Sequence, residues 1–257
     1  MLKCFFSIGM SLMLALVAVE NATAGQESKQ ADQSKQTADD KNIRNEKDRA
    51  AESAQVLTEI MKIPENSIPE ELMARAHGIA VIPHVVKGAF GLGGQWGKGL
   101  MSQRREDGSW STPAFIEIGG GSFGLQIGVQ ASDVVLVFTD QTGIKGLLKS
   151  KLKLGADASA TAGPVGRKAE VGTDAALRSG VFAYSRSKGL FAGISLDGSV
   201  VSIDDSANRR VYGKEVTGEW ILLDNRVKPN ATVQPFMTTL QMVSPPHKHT
   251  DKASKSN

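Results

Sequence analysis

Apolar residues recur every three or four positions between Glu46 and Lys62, and Glu, Lys and Arg side chains fill the positions between them. This spacing predicts an amphipathic helix, which Pro64 ends. Its apolar face is compatible with two roles, packing on the core of a domain or lying against a membrane surface. In the second role, the membrane-contacting residues are Leu57, Ile60 and Met61.

Residues 79–138 alternate short apolar runs with closely spaced glycines, a pattern typical of β-strands with bulges or close backbone approaches. Ile79–Ile82 predicts a buried strand that Pro83 closes. Val134–Phe138 is the most hydrophobic run outside the N-terminal segment and predicts a central strand. A sheet therefore occupies the middle of the chain.

Turn signals predict that most neighbouring strands form hairpins. Asp107-Gly108 is a two-residue hairpin signal between two extended segments. Gly163-Pro164 separates Leu154–Ala162 from Val165–Gly172 and predicts a second hairpin, and three short strands within Val181–Ile203 predict a meander. We therefore expect a single α+β domain, a twisted, mostly antiparallel β-sheet with glycine bulges and a few flanking helices.

Apolar residues also recur at helical spacing from Thr142 to Lys153, and three lysines form a neighbouring row at four-residue spacing. Such a row is compatible with a solvated helix surface and also with a basic helix that contacts phospholipid headgroups. The predicted hairpin that follows adds two basic residues. The candidate headgroup-binding residues are Lys145, Lys149, Lys153, Arg167 and Lys168.

The two ends of the chain differ in composition from its middle. Residues 1–24 combine Lys3, an apolar run and Ala22-Thr23-Ala24, which is the layout of a secretory signal peptide. Residues 25–45 have almost no apolar side chains. The predicted organisation is a signal peptide at 1–24, a disordered tether at 25–45, one domain at 46–243 and a disordered tail at 244–257.

The composition narrows the chemistry that the folded part can carry. Cys4 is the only cysteine and lies in the predicted signal peptide, so disulfides and thiol chemistry are excluded from the mature chain. The formal net charge of +3 allows contact with anionic surfaces but is too small for a nucleic-acid-binding protein. His77 and His84 lie on opposite sides of a predicted strand without an acidic cluster nearby, so we expect no metal and no cofactor.

Two glycine motifs overlap in one strand junction, Gly119–Gly124. A dinucleotide-binding G-x-G-x-x-G needs a helix that begins at its glycines, whereas the alternation in Phe123–Val129 predicts a strand. The overlapping G-x-S-x-G makes Ser122 the candidate nucleophile of a lipid esterase, and that fold also needs a helix after the serine. Its triad histidine would be His247 or His249, both in the predicted tail. The residues therefore favour a protein that is not an enzyme.

An ordered set of short motifs resembles the SYLF domain family. The resemblance covers roughly Val56–Met242. In chain order the motifs are AHGIAVIP (Ala76–Pro83), KGAFGLGG (Lys87–Gly94), WSTPAF (Trp110–Phe115), SFGLQIG (Ser122–Gly128), DVVLVF (Asp133–Phe138), AGPVGR (Ala162–Arg167), YSRSKGLFAG (Tyr184–Gly193) and SLDG (Ser195–Gly198).

The resemblance implies a lipid-binding domain. Eukaryotic relatives are associated with phosphoinositides, membrane remodelling and, in some cases, actin, and an N-terminal amphipathic segment is implicated in their membrane contact. The predicted signal peptide sets this chain apart from them and suggests an exported bacterial relative. We therefore expect a non-catalytic protein that binds membrane phospholipids in the cell envelope, in the periplasm, at the outer membrane or after secretion. The alternatives are an envelope module that binds a protein partner and a lipid esterase using Ser122.

Overall fold

The computed structural model of the chain describes residues 40–62, 67–90, 92–122, 128–149, 151–166 and 180–245. The predicted signal peptide, residues 25–39 of the predicted tether and residues 246–257 of the predicted tail lie outside the described residues. The chain divides into two compact units, Met1–Asn45 and Glu46–Asn257. In the first unit residues 40–45 are helical.

Helices and strands are numbered here in chain order. The helices in the described residues are α1 (residues 40–62), α2 (Glu70–Arg75), α3 (Gln141–Lys149), α4 (Asp205–Tyr212), α5 (Gly218–Leu222) and α6 (Gln234–Val243). The strands are β1 (Gly78–Phe90), β2 (Leu92–Gln103), β3 (Ala114–Ser122), β4 (Gly128–Phe138), β5 (Lys151–Lys153), β6 (Ala160–Ala162), β7 (Val181–Ser187), β8 (Leu190–Gly193) and β9 (Ser199–Ile203).

All nine strands belong to one sheet, in the order β5-β9-β3-β2-β1-β4-β7-β6, with β8 paired to β7. Every pairing is antiparallel except the one between β6 and β7. A flat path of eight strands would be about 34 Å wide. The strands β5 and β6 lie at the two ends of this path. Residues 154–159, which connect them, span at most roughly 25 Å when fully extended. The sheet is therefore curled, and the predicted α+β class with a mostly antiparallel sheet is confirmed.

Each face of the sheet supports its own hydrophobic cluster. The inner cluster contains Leu152 of β5 and Ala160 of β6 together with residues of the central strands, so it lies inside the curl. Helices α3 and α5 contribute Ile144 and Ile221 to it. The outer cluster lies on the other face, where α1, α2, α4 and α6 pack on the sheet. Because side chains alternate along a strand, neighbouring residues of β1 and β4 enter different clusters.

The sequence predicted that Pro83 closes the strand Ile79–Ile82. In the structure these residues begin a longer strand, β1, which passes through Pro83 and continues to Phe90. Its register shifts between Ile82 and Val85 on the side of β4, which is the mark of a β-bulge. His84 has a φ of 49° in this bulge, and its backbone N–H donates to the Asp133 carboxylate at 3.0 Å. A bulge accommodates a proline without a ladder hydrogen bond, which explains why the strand passes through it.

Long-range pairing corrects three other predictions. The predicted hairpin around Gly163-Pro164 is wrong on its described side, because Ala160–Ala162 pairs in parallel with β7; residues 167–179 lie outside the described residues. The predicted meander holds only for β7 and β8, because β9 pairs with β3 and β5. The helix predicted to reach Lys153 ends at Lys149. In the described parts of the chain, every helix is too short or too polar to cross a membrane.

Candidate functional site

Helix α3 carries two lysines on its exposed side. Ile144 and Leu147 are buried in the inner cluster, and this anchors one side of the helix against the sheet. Lys145 and Lys149 are one turn apart on the opposite side, and both are exposed. Lys149 also lies in the last turn, where the partial negative charge of the helix terminus favours a cation.

Strand β5 adds two further lysines beside the helix. Its three residues are exposed, buried and exposed in turn. Leu152 enters the inner cluster and pairs with Val201, so Lys151 and Lys153 project together from the other face. β5 is an edge strand of the sheet, where lysine side chains also discourage pairing with another sheet.

We call the set formed by Lys145, Lys149, Lys151 and Lys153 the lysine surface. Among the described residues, none of these four lysines has an ion-pair partner, whereas Lys98 on β2 is paired with Asp204. Unpaired surface lysines are free to meet an anionic ligand. Each contributes about 1 kcal/mol of attraction near an anionic bilayer, and salt screens that attraction.

A groove of about 470 Å³ adjoins the lysine surface, and Lys149 and Lys151 line it. Its volume is within the range of small-molecule sites. The groove offers apolar and polar walls as well as both signs of charge. The other lining residues are Leu147, Leu148 and Ile203 on the apolar side, Ser202, Thr217 and Gly218 as neutral polar or small residues, and the acids Glu117, Asp205 and Glu219.

Of the five candidate headgroup-binding residues, three are described and exposed, Lys145 and Lys149 on α3 and Lys153 on β5. Lys153 reaches the lysine surface from β5 rather than from the predicted helix. Arg167 and Lys168 lie outside the described residues. Lys151 was missed, although the K-L-K-L alternation from Lys151 to Leu154 is the signal of a half-buried strand.

The proposed membrane-contacting face of α1 requires a correction. Leu57 and Ile60 have exposed fractions of 0% and 2% and belong to the outer cluster, and Met61 is partly buried against the same cluster. Side chains that fill the core of the fold have no surface to offer to a membrane in this conformation. The core-packing role is therefore the one that the structure supports, and the membrane-contacting assignment of Leu57 and Ile60 is wrong for this fold.

The overlapping glycine motifs lie within a strand. Gly119 and Gly120 of β3 pair with β2 on one side and with β9 on the other, and Ser122 is the last residue of the strand. A Cβ at Gly120 would lie 2.9 Å from the carbonyl oxygen of Gly198, so close approach of β9 requires glycine there. Only five residues separate Ser122 from β4, too few for the helix that a phosphate-binding G-x-G-x-x-G or a nucleophile elbow needs after its strand. His247 and His249 lie outside the described residues.

Other titratable groups of the described residues have structural roles. Groups of three or more His, Cys, Asp or Glu that could hold a metal are absent from this part of the chain. Tyr184 and Tyr212 donate to the carbonyls of Pro164 and Pro113, and burial raises the pKa of both phenols. The tyrosines are therefore neutral hydrogen-bond donors that fix loops to the sheet.

A buried charge cluster around Asp204 was missed by sequence reasoning. Asp204 caps α4, because its Oδ1 accepts from the N–H of Ala207 at 3.0 Å. Its Oδ2 accepts from Lys98 at 2.9 Å and from Arg49 at 3.3 Å. Burial alone would raise the pKa of this carboxyl, but hydrogen bonds from Lys98, Ala207 and Ser206 outweigh it and lower the pKa to about 2. The cluster holds α1, α4 and β2 together.

Comparison with known proteins finds similarity to a family described by its link to actin regulation and to several proteins of eukaryotes. A family model described as Ysc84, Las17-binding protein actin regulator, matches residues 119–243. LAS seventeen-binding protein 3 of Saccharomyces cerevisiae is 37% identical over 177 residues, which are 68% of this chain and 38% of the relative. SH3 domain-containing YSC84-like protein 1 of Homo sapiens is 34% identical over 193 residues, 73% of this chain and 56% of the relative.

The similarity to these relatives is partial in length. Protein YSC84 of Saccharomyces cerevisiae is 37% identical over 193 residues, which are 73% of this chain but 41% of that protein. The chain thus spans between 38% and 56% of the length of the relatives described here. The shared part is one domain, and the names of these relatives describe whole proteins that extend beyond it.

Proposed function

Since this chain belongs to the SYLF (Ysc84) domain family, we propose that it is a non-catalytic protein that binds phospholipid headgroups at a membrane surface. The observation that carries the proposal is the lysine surface. Four exposed lysines lie on the adjacent elements α3 and β5, two of them line one groove, and none is neutralised by a described carboxylate in an ion pair. Such a surface attracts phosphate groups and loses that attraction as salt rises.

The groove gives the lysine surface a means of holding one lipid headgroup rather than only a diffuse charge. Lys149 and Lys151 lie at its wall, where they would meet a phosphate, whereas Glu117, Asp205 and Glu219 on the same lining disfavour a second anionic group. Leu147 and Leu148 line the same groove and offer apolar contact to the first carbons of an acyl chain. The proposed ligand is therefore a phospholipid whose phosphate contacts the two lysines.

The cellular location belongs to the same proposal. The layout of residues 1–24 is that of a secretory signal peptide, which supports export across the inner membrane of a bacterium. An exported chain would meet the phospholipids of the cell envelope, in the periplasm or at the outer membrane.

Vesicle co-sedimentation of the full-length mature chain tests this function. We expect the protein to sediment with vesicles that contain phosphatidylglycerol at low salt, and to be released as salt is raised. Vesicles of phosphatidylcholine alone should retain less protein, because they carry no net charge. A folded protein that sediments with neither vesicle at low salt would overturn the proposal.

A protein partner is the second candidate function, and the names of the relatives favour it. The family model that matches residues 119–243 is described as Las17-binding, and one yeast relative carries such binding in its name. We propose that this chain binds a protein partner in the envelope through the domain that it shares with these relatives. Capture of one partner at high salt and without lipid would support this role, whereas capture that requires vesicles would contradict it.

A further inference from the structure

The groove beside the lysine surface carries acids as well as lysines on its wall. Its two cations are Lys149 and Lys151, and its three acids are Glu117, Asp205 and Glu219. Two positive and three negative charges give a formal sum of −1, so a ligand that is only an anion would leave the acids unopposed. The charges of the wall therefore favour a ligand that brings a positive group together with its phosphate.

The two signs of charge are held apart by the sheet. Lys151 of β5 pairs with Ser202 of β9, and Ser202 pairs in turn with Glu117 of β3. Because neighbouring strands are about 4.8 Å apart, the backbone positions of Lys151 and Glu117 are separated by about 10 Å. The Ser202 hydroxyl lies between them and donates to Oε1 of Glu117 at 3.2 Å. The groove thus has a positive side at β5 and a negative side at β3.

Among the described residues, Glu117 has no ion-pair partner, although its side chain is half-buried. Lys98, its neighbour on β2, is committed to Asp204 at 2.9 Å. Asp205 and Glu219 lie in the first turns of α4 and α5, where the helix dipole favours an acid. That explanation does not apply to Glu117, which lies within a strand. Its carboxylate is therefore available to a cation that enters the groove.

An organic ammonium suits this carboxylate better than a metal ion does. In the segments that the structure describes, no three His, Cys, Asp or Glu side chains are grouped so that they could hold a metal. A primary ammonium needs no such group of ligands, because each of its three N–H groups can donate to a separate acceptor. Hydrogen bonds between an ammonium and a carboxylate are also among the strong ones.

We propose that the groove binds the phosphoethanolamine headgroup of a phospholipid, an inference that rests on the phospholipid-binding function proposed above. The phosphate contacts Lys149 and Lys151, and the ammonium donates to Glu117 beside Ser202. A phosphocholine headgroup fits less well, because its quaternary ammonium has no N–H to donate to a carboxylate. The lysine surface draws the protein to an anionic bilayer, and the groove selects one zwitterionic headgroup from it.

Vesicles with a fixed content of phosphatidylglycerol test this selection. The remaining lipid is either phosphatidylethanolamine or phosphatidylcholine, so both vesicles carry the same net charge. The readout is the ratio of the two dissociation constants of the full-length mature chain. We expect the wild type to bind the phosphatidylethanolamine vesicles about tenfold more tightly, because a charge-assisted hydrogen bond is gained.

Two substitutions that remove the same charge locate the selection. Glu117→Gln keeps the shape of the side chain and an oxygen that can accept from Ser202, and it should bind both vesicles with equal affinity. The matched control is Glu106→Gln, at an exposed position outside the lining of the groove, and it should keep the tenfold ratio. A ratio that persists in Glu117→Gln would overturn the inference, because the selection would then come from the packing of the bilayer.

The wild type separates this inference from the function on which it rests. Equal and tight binding of the wild type to both vesicles would overturn the headgroup assignment and leave phospholipid binding intact. Binding of the folded wild type to neither vesicle at low salt would overturn the proposed function, and this inference with it.

Free phosphoethanolamine distinguishes a lipid from a soluble compound of the same chemistry. Calorimetry without vesicles measures its binding to the wild type. A tenfold vesicle ratio together with weaker binding of the free compound supports the lipid, because the free compound lacks the carbons that contact the apolar wall. If the free compound binds while the vesicles show no ratio, the groove takes a soluble ligand and the assignment to a lipid is wrong.

Discussion

Lys98 of β2 donates a hydrogen bond of 2.9 Å to Asp204, the residue that caps α4 and lies 106 positions later in the sequence. Arg49 of α1 reaches the same carboxylate oxygen at 3.3 Å. One acidic side chain therefore connects a strand and two helices on the outer face. The connection is part of the scaffold, and it leaves Asp204 and Lys98 committed to each other rather than to a ligand.

Replacement of Asp204 should therefore cost stability. We expect Asp204→Ala to lower the free energy of unfolding by about 3 kcal/mol, because it removes the helix cap and leaves two cations without their buried partner. Asp204→Asn keeps a good cap and should cost about 1 kcal/mol less. Chemical denaturation measures both. Equal and negligible losses in the two variants would show that the cluster contributes nothing.

Acid should destabilise the fold through the same residue. The pKa of Asp204 is lowered from 3.8 to about 2 in the folded protein, so its contribution is complete above the unfolded pKa and disappears as the pH falls through the folded one. The difference corresponds to about 2 kcal/mol lost between roughly pH 4 and pH 2. Across this pH window the free energy of unfolding should fall less in Asp204→Asn than in the wild type. An equal fall in both proteins would contradict the role of Asp204 in acid sensitivity.

Substitution by alanine should destabilise the fold strongly at one glycine of β2 and hardly at all at another. A Cβ at Gly99 would lie against the carbonyl oxygen of Val81 and 2.7 Å from the Cα of Ile82, so backbone would have to move. We expect Gly99→Ala to cost about 3 kcal/mol or to prevent folding. Gly94→Ala, with its nearest atom at 3.8 Å, should change stability by less than about 0.5 kcal/mol. Thermal unfolding compares them, and similar melting temperatures would refute the argument.

The buried face of α1 yields a prediction that separates packing from membrane contact. Leu57→Ala should cost about 2–5 kcal/mol, because Leu57 is fully buried and its removal leaves a cavity. Met61→Ala, at a partly buried position, should cost less. Under conditions where Leu57→Ala is folded, its vesicle binding should equal that of the wild type. A selective loss of vesicle binding at unchanged stability would restore the membrane-contacting role.

Local patterns predicted the elements that depend on neighbouring residues. The Ile79–Ile82 and Val134–Phe138 runs are buried strands, and Asp107-Gly108 turns the chain between β2 and β3 with Gly108 at a φ of 82°. Glycine and proline signals of this kind act within a few residues. Pro83 was misleading because the bulge that accommodates it depends on Asp133, fifty residues later.

Pairings between distant strands were not predictable from periodicity. Ala160–Ala162 has no local signal that favours a parallel partner, and β9 pairs with β3 because the sheet curls rather than because of its own turn. Lys145 and Lys149 of the candidate site follow from helical spacing alone.

The most direct test of the phospholipid-binding function compares two charge-matched variants of the full-length mature chain. Lys149→Gln with Lys151→Gln alters the lysine surface at the groove, and Lys214→Gln with Lys228→Gln removes two exposed lysines elsewhere. The measurement is the dissociation constant for phosphatidylglycerol vesicles at low salt. At about 1 kcal/mol for each lysine, the first variant should bind about thirtyfold more weakly and the second like the wild type. Equal affinities for the two variants would contradict a headgroup site at the lysine surface.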